Sequence, residues 1–352
     1  MSTVLTPPCP APCSGLPAAA SGAVRLAHWG VIRAAGADAA SFLHGQLSND
    51  ISHLRPGQAR LAAYCTAQGR MLASFVVTPA AVAEGGDPTE LWLACRADLL
   101  TATLKRMAMF VLRARARLFD ASAEVAVLGL GGSAAAAWLA GQGVEPALRQ
   151  GPAWSAGSAG GGRVVRLPDA AGALPRWLWL GPGGAADAVL AALPAIDSAA
   201  WDALEISAGV VPVQAATVGA FVPQMLNYEL VGGVDFKKGC YPGQEVVARS
   251  HYLGKLKRRG VVLAATALPA PAAAGQEIWW SGDTGQPAGR VAQAAAVDGG
   301  GWLLLAELKL AALGEAPEGV ATSSLHLGTA DGPALTRLPL PYALPQEDNP
   351  PA

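Results

Sequence analysis

The sequence predicts an α+β fold built largely from antiparallel strands, and three observations carry that prediction. Apolar residues fill 52% of the 352 positions and charged residues only 14%, so the chain can bury a core and is no disordered polyelectrolyte. With 42 Gly and 27 Pro, structure punctuators recur too often for a long helical bundle and favour short strands and turns. Between them, apolar residues show strand-like spacing in some segments and helix-like spacing in others. The length suggests two or three domains.

Residues 1–22, rich in Pro, Ala and Ser, read as a loose tail. They have neither the charge nor the apolar core of a secretory or transit segment. Residues 24–33 read as two short strands. In 37–47 the apolar Phe42, Leu43 and Leu47 share one helical face, with Asp38 placed to suit the helix dipole. Pro56-Gly57 marks a turn, and 60–66 with 71–78 form a hairpin joined by Ala67-Gln68-Gly69-Arg70. A strand at 90–95 precedes a helix over 98–110, with Leu99, Leu100, Leu104 and Met107 at core spacing. Residues 111–118 alternate as a strand, with Arg113, Arg115 and Arg117 on one face and Leu112, Ala114, Ala116 and Leu118 on the other.

Next come a strand at 124–128, Gly129-Leu130-Gly131-Gly132-Ser133-Ala134 and a helix at 135–140. This has the outline of a dinucleotide-binding fingerprint, but no good second strand follows, and a tight turn into an ordinary helix is the reading adopted. A loop at 157–162, strands at 163–167 and 177–180 and a helix at 185–193 follow. After Gly260, strands at 261–264, 277–280, 289–297, 302–308 and 323–327 suggest a small antiparallel β-barrel. The expected organisation is a tail over 1–22, a main region over 23–259, a barrel over 260–346 and a tail over 347–352.

The 25 basic and 26 acidic residues leave a net charge of −1, which supplies no global field toward nucleic acid or an anionic membrane. Mean hydropathy is +0.31, yet the longest uncharged stretches, 125–144 and 206–228, are interrupted by Gly, Pro and Gln, so no membrane span is expected. Five scattered cysteines form no disulfide framework and point to reduced thiols and a cytoplasmic setting. Cys9 and Cys13 have no ligands at matching spacing, so no metal site is expected.

The chemistry concentrates in Gly232-Gly233-Val234-Asp235-Phe236-Lys237-Lys238-Gly239-Cys240-Tyr241-Pro242-Gly243-Gln244-Glu245. Two lysines precede Cys240 and a helix is expected just after it, and both features favour a thiolate. Pro242-Gly243 suits a type II turn, and Gln244 and Glu245 can orient a ligand or cap the turn. An exposed turn with an idle thiol is the competing reading. Arg249, His251, Lys255, Lys257, Arg258 and Arg259 form either a solvated face or an anion-binding stripe. Trp29 and Trp201 are either core residues or stacking surfaces for a flat heterocycle. His44 and His251 are candidate bases for Cys240, although the sequence alone places neither beside it.

Lys238-Gly239-Cys240-Tyr241-Pro242-Gly243-Gln244-Glu245 resembles the K-G-C-[FY]-x-G-Q-E signature of the YgfZ family of folate-binding proteins, relatives of the glycine-cleavage T-protein. Phe42-Leu43-His44-Gly45-Gln46-Leu47-Ser48-Asn49-Asp50 is similar to the family's G-Q-[VL]-[ST]-x-D segment, Phe221-Val222-Pro223-Gln224 to its F-[IV]-P-Q lead, and Pro339-Leu340-Pro341-Tyr342 to family endings. The resemblance implies a T-protein-like fold: two interleaved α+β subdomains and a C-terminal barrel around a central folate pocket. It further implies tetrahydrofolate, or a one-carbon derivative, bound by Trp29 and Trp201, and a functional Cys240 near the pocket mouth. The implied role is support of iron–sulfur cluster assembly or repair and thereby of tRNA modification. Iron–sulfur assembly factors or apo-enzymes are the implied partners, and the neutral charge argues against direct tRNA binding. Where a true aminomethyltransferase carries a carboxylate pair, this chain has Ala73 and Ser74, which argues against that activity. A one-carbon transferase of altered specificity and a non-catalytic scaffold are the alternatives.

Overall fold

A computed structural model describes residues 20–80, 89–252, 256–314 and 324–345. The Cys9/Cys13 pair, Lys255, the side chain of His251 and most of both tails lie outside the described residues. The elements run β1 Gly22–Arg25, β2 Trp29–Ala35, α1 Ala39–His44, β3 Arg60–Cys65, β4 Met71–Pro79, β5 Glu90–Arg96, α2 Ala97–Ala108, β6 Arg117–Asp120, β7 Val125–Gly131, α3 Gly132–Gly141, α4 Pro146–Gln150 and β8 Ala156–Ala159. They continue with β9 Gly162–Ala170, β10 Leu174–Pro182, α5 Gly183–Ala192, α6 Ser198–Ser207, α7 Gln244–Tyr252, β11 Arg258–Ala265, β12 Glu277–Trp280, β13 Gly289–Val297, β14 Gly301–Lys309, α8 Leu310–Gly314, β15 Leu325–Leu327 and β16 Thr336–Leu338.

Three sheets result, with strand orders β3-β4-β5-β2-β6, β1-β7-β10-β9-β8 and β15-β12-β13-β14-β11-β16. Consecutive strands β1 and β2 belong to different sheets, as do β6 and β7, so the chain weaves between the first two sheets. Their facing sides share a core in which Val31, Val76 and Ala94 of the first meet Val24, Val127, Val165 and Leu178 of the second. The third sheet joins the first through Val262, Ala292, Leu303 and Leu305.

One expectation holds here and one changes. The fingerprint strand β7 pairs antiparallel with both β1 and β10, so no parallel β-α-β unit exists to cradle a dinucleotide. The 111–118 strand is mostly a bend, and only β6 from Arg117 onward pairs with β2. Leu112, on the face opposite the arginines in the expected strand, is 85% exposed.

Helix α6 positions the interior. The Asp197 side chain accepts a 2.7 Å bond from the Ala199 amide and caps its start, a favourable use of an orphan donor. Trp201 then packs flat on β7 at Gly129, where an added Cβ would sit 2.5 Å from indole Cδ2. Only glycine permits that approach. No described helix is long and apolar enough to cross a membrane.

Candidate functional site

Between the first two sheets lies a narrow cavity of about 30 Å³, with Trp29 from β2, Leu61 from β3, Ser74 from β4, Arg176 and Leu178 from β10, Glu205 from α6, and Trp154 and Tyr228 from loops in its wall. Its walls are mostly apolar, so its few polar groups stand out. Glu205 is buried; its carboxylate accepts from Trp201 Nε1 at 3.1 Å and from Gln293 Nε2 at 3.0 Å. Burial raises its pKa, against which Gln293 and the Arg176 cation act. Arg176 is buried too, which pulls its guanidinium down to about 10. Its Nε donates to Pro168 O, but its Nη1 and the Trp29 Nε1 are buried donors with no partner among the described residues.

Trp29 lies in the cavity wall. Trp201 does not. It is 0% exposed and absent from the lining, pressed on Gly129 with the Arg176 cation 5.5 Å above its ring. Its indole instead fixes the Glu205 carboxylate. Outside Glu205, Asp202 sits near Gln293 Nε2 at 3.3 Å and His28 Nε2 at 3.6 Å. Burial and the neighbouring Glu205 raise Asp202 to about 7, while burial and Arg96 lower His28 to about 4.

Ser74 lines the cavity where the transferase acid was sought, and its hydroxyl accepts the Val213 amide at 2.9 Å. Ala73 is buried. No titratable group from β4 faces this space.

The segments singled out in the sequence converge on the loop before α7. Ser48 Oγ donates to Gly233 O at 2.6 Å, and Asn49 Nδ2 bridges Leu61 O and Gly232 O, each at 2.7 Å. Lys238 Nζ donates to His44 O and to Leu47 O, and lies 4.7 Å from the Tyr241 ring centre. Burial lowers its pKa to about 8. Gln224 is buried, with Nε2 donating to Val247 O at 2.6 Å and holding α7. At Gly243 φ is +84°, and an added Cβ would lie 2.4 Å from Thr66 O, so the turn packs closely on the β3–β4 hairpin.

Within the signature, Tyr241 is buried and Gln244 Nε2 donates to Lys238 O at 3.4 Å. Glu245 is exposed in the first turn of α7, where the dipole favours a carboxylate. Cys240 is exposed, whereas Cys65 and Cys95 are buried. His44 Nε2 lies against Gly239, 3.4 Å from where a Cβ would be, and its Nδ1 is 2.9 Å from Asp50 Oδ1. Of the two candidate bases, His44 is thus beside the loop.

Cys240 lines neither the buried cavity nor the wide open pocket beyond Trp154, whose wall ends at Lys237 and Tyr252. That corrects the expected position at the cavity mouth: the Lys238 anchor turns the chain toward His44. Trp154 walls both spaces, with φ of 71° and Nε1 donating to Val231 O at 2.7 Å. Such a conformation is strained for a bulky residue. Glu205, Arg176 and Trp154 had no sequence assignment; the one available signal was Glu205 inside the apolar run Ala203-Leu204-Glu205-Ile206.

Comparison with curated proteins places this geometry. The chain is 30% identical over 345 residues to the tRNA-modifying protein YgfZ of Edwardsiella ictaluri, covering 92% of this chain and 93% of that protein. It belongs to the YgfZ family. The YgfZ of Klebsiella pneumoniae is 29% identical over 340 residues, covering 91% of this chain and 92% of that protein. No protein-family model matches. Among solved structures, the glycine cleavage system aminomethyltransferase T of Bartonella henselae superposes with a TM-score of 0.67 at 20% identity, over 92% of this chain and 87% of that one. This YgfZ-family chain therefore has the aminomethyltransferase T fold, with Ala73 and Ser74 on β4.

Proposed function

We propose that the cavity between the first two sheets binds tetrahydrofolate, or a one-carbon derivative. In this reading the chain is a cytoplasmic accessory protein for iron–sulfur cluster assembly or repair, and through it for tRNA modification. The observation that carries the folate reading is the set of unmet cavity groups. Arg176 Nη1 and Trp29 Nε1 lack partners among the described residues, and Glu205 offers a carboxylate in the same wall. A reduced pterin supplies a ring carbonyl that accepts hydrogen bonds and an amino-amide edge that donates two to a carboxylate. A buried donor left unpaired costs about 1–3 kcal/mol, so a ligand that pairs both recovers that amount at each. The aminomethyltransferase fold and the tRNA-modifying name of the relatives support the same reading.

A one-carbon transferase is disfavoured by Ser74, which cannot exchange protons near neutral pH. Cys240 supplies the thiol on which the accessory role depends, on the surface rather than in the cavity. Titration with tetrahydrofolate tests the site. Arg176→Met and Trp29→Ala should each weaken binding by roughly 1–3 kcal/mol, while Cys240→Ala binds normally and fails to restore iron–sulfur enzyme activity in cells. Wild-type affinity in both cavity variants refutes the folate site. Turnover of methylene- or formyl-tetrahydrofolate by the wild-type chain would instead establish the transferase.

A further inference from the structure

The surface that follows α2 is unlike the rest of the molecule. Six large apolar side chains are exposed among the described residues, and three of them fall within four positions: Met109 at 61%, Phe110 at 49% and Leu112 at 85%. Lys105, Arg106, Arg113, Arg115 and Arg117 surround them in sequence, all exposed. No acidic residue occurs between Asp98 and Asp120. Of the five cations, Arg115 is held by Asp38 at 3.2 Å. A chain of net charge −1 thus carries a concentrated positive patch around an apolar tip.

Aromatic residues, Met and Arg are the types enriched at the centres of protein interfaces, and Asp and Glu are depleted there. Nucleic acid would use the arginines but gains little from an exposed Leu and Met, because phosphate contacts dominate its affinity. We infer that residues 105–117 form a docking surface for a protein partner that presents an apolar pocket rimmed by carboxylates.

The place of this surface in the fold gives it a purpose. Arg115 pairs with Asp38 at the start of α1, and His44 at the end of α1 lies against Gly239 beside Cys240. Helix α1 has six residues, about 9 Å in length. A standard interface of about 800 Å² per partner is wider than that. The patch and the Cys240 loop thus adjoin opposite ends of the short helix α1. The inference does not depend on the folate site, and its failure leaves the tetrahydrofolate titration unaffected.

The test places a photo-reactive benzoylphenylalanine at position 112 of the full chain expressed in bacterial cells. Irradiation should give a nuclease-resistant protein adduct whose cross-linked segment is rich in Asp and Glu. Arg113→Glu/Arg117→Glu should reduce it about tenfold, while Arg113→Lys/Arg117→Lys retains it. Carboxylate-to-lysine changes in the identified partner should restore the adduct to the charge-reversed chain. Circular dichroism and the thermal unfolding midpoint establish that the reversed variant is folded. A nuclease-sensitive adduct would assign the patch to RNA and overturn the inference. So would no adduct, an adduct indifferent to charge reversal, or a charge swap that restores nothing.

Discussion

Replacing Asp202 by Asn should uncover a pH dependence of stability that the wild-type chain conceals. Asp202 Oδ1 and His28 Nε2 lie 3.6 Å apart with side chains 24% and 27% exposed. Burial and Glu205 raise Asp202 from 3.8 to about 7; burial and Arg96 lower His28 from 6.5 to about 4. Between pH 4 and 6.5 the unfolded chain therefore carries a proton on His28 and none on Asp202. Folding moves it: Asp202 becomes protonated and His28 neutral. Both states bind one proton, so the pair adds almost no slope to stability.

In Asp202→Asn only the histidine titrates. The unfolded state then binds one more proton than the folded state, and stability rises with pH by up to about 1.4 kcal/mol per pH step of one. Over the window from 4 to 6.5 the rise reaches about 3 kcal/mol, an upper bound because both groups retain some solvent. His28→Gln gives the opposite sign. The raised acid holds its proton in the folded state, so stability is greatest below 3.8 and falls as pH rises toward 7. Urea unfolding of the wild type and both variants at half-step pH intervals measures these slopes. A difference between Asp202→Asn and wild type that stays constant with pH would refute the proton transfer.

Three other outcomes are expected. Gly243→Ala should lower stability by about 1–3 kcal/mol in thermal unfolding, because it forces a side chain into a positive-φ turn against Thr66 O. In a Cys9→Ser/Cys13→Ser background, iodoacetamide at pH 8 should modify one thiol, Cys240, as read by intact mass. Cys65 and Cys95, which burial pushes to about 12, should react only after urea is added. Asn49→Ala strands the Leu61 and Gly232 carbonyls, costs about 1–3 kcal/mol, and should speed hydrogen exchange over residues 232–240.

Where a local pattern carried the information, the sequence was legible. The β3–β4 hairpin, α2 and the strands after Gly260 follow from apolar period and turn residues, and the motif around Cys240 pointed to the loop that Ser48, Asn49 and Gln224 build. The cavity was less legible. Ala203, Leu204, Glu205, Ile206 and Ser207 of α6 are all buried, so the helix shows no amphipathic period and Glu205 no marker of its environment. Trp201, flanked by polar Asp202, leaves core and stacking both open in the sequence; its placement depends on Gly129, 72 positions away. The alternation over 111–118 cannot register that the chain bends before pairing, which leaves Leu112 exposed.

The clasp around the Cys240 loop also bears on how the protein is made. Its bonds join residues 183 to 194 positions apart, Asn49 to Gly232 and Lys238 to His44. Contacts of such long range form late, since a chain must close a large loop before gaining from them. During synthesis, the first sheet's N-terminal segments wait on the ribosome for more than half of the chain before the clasp can close. A fragment ending before Gly232 keeps the strands of both interleaved sheets yet lacks the thiol loop entirely. The assembled Cys240 surface is thereby a marker of a finished molecule.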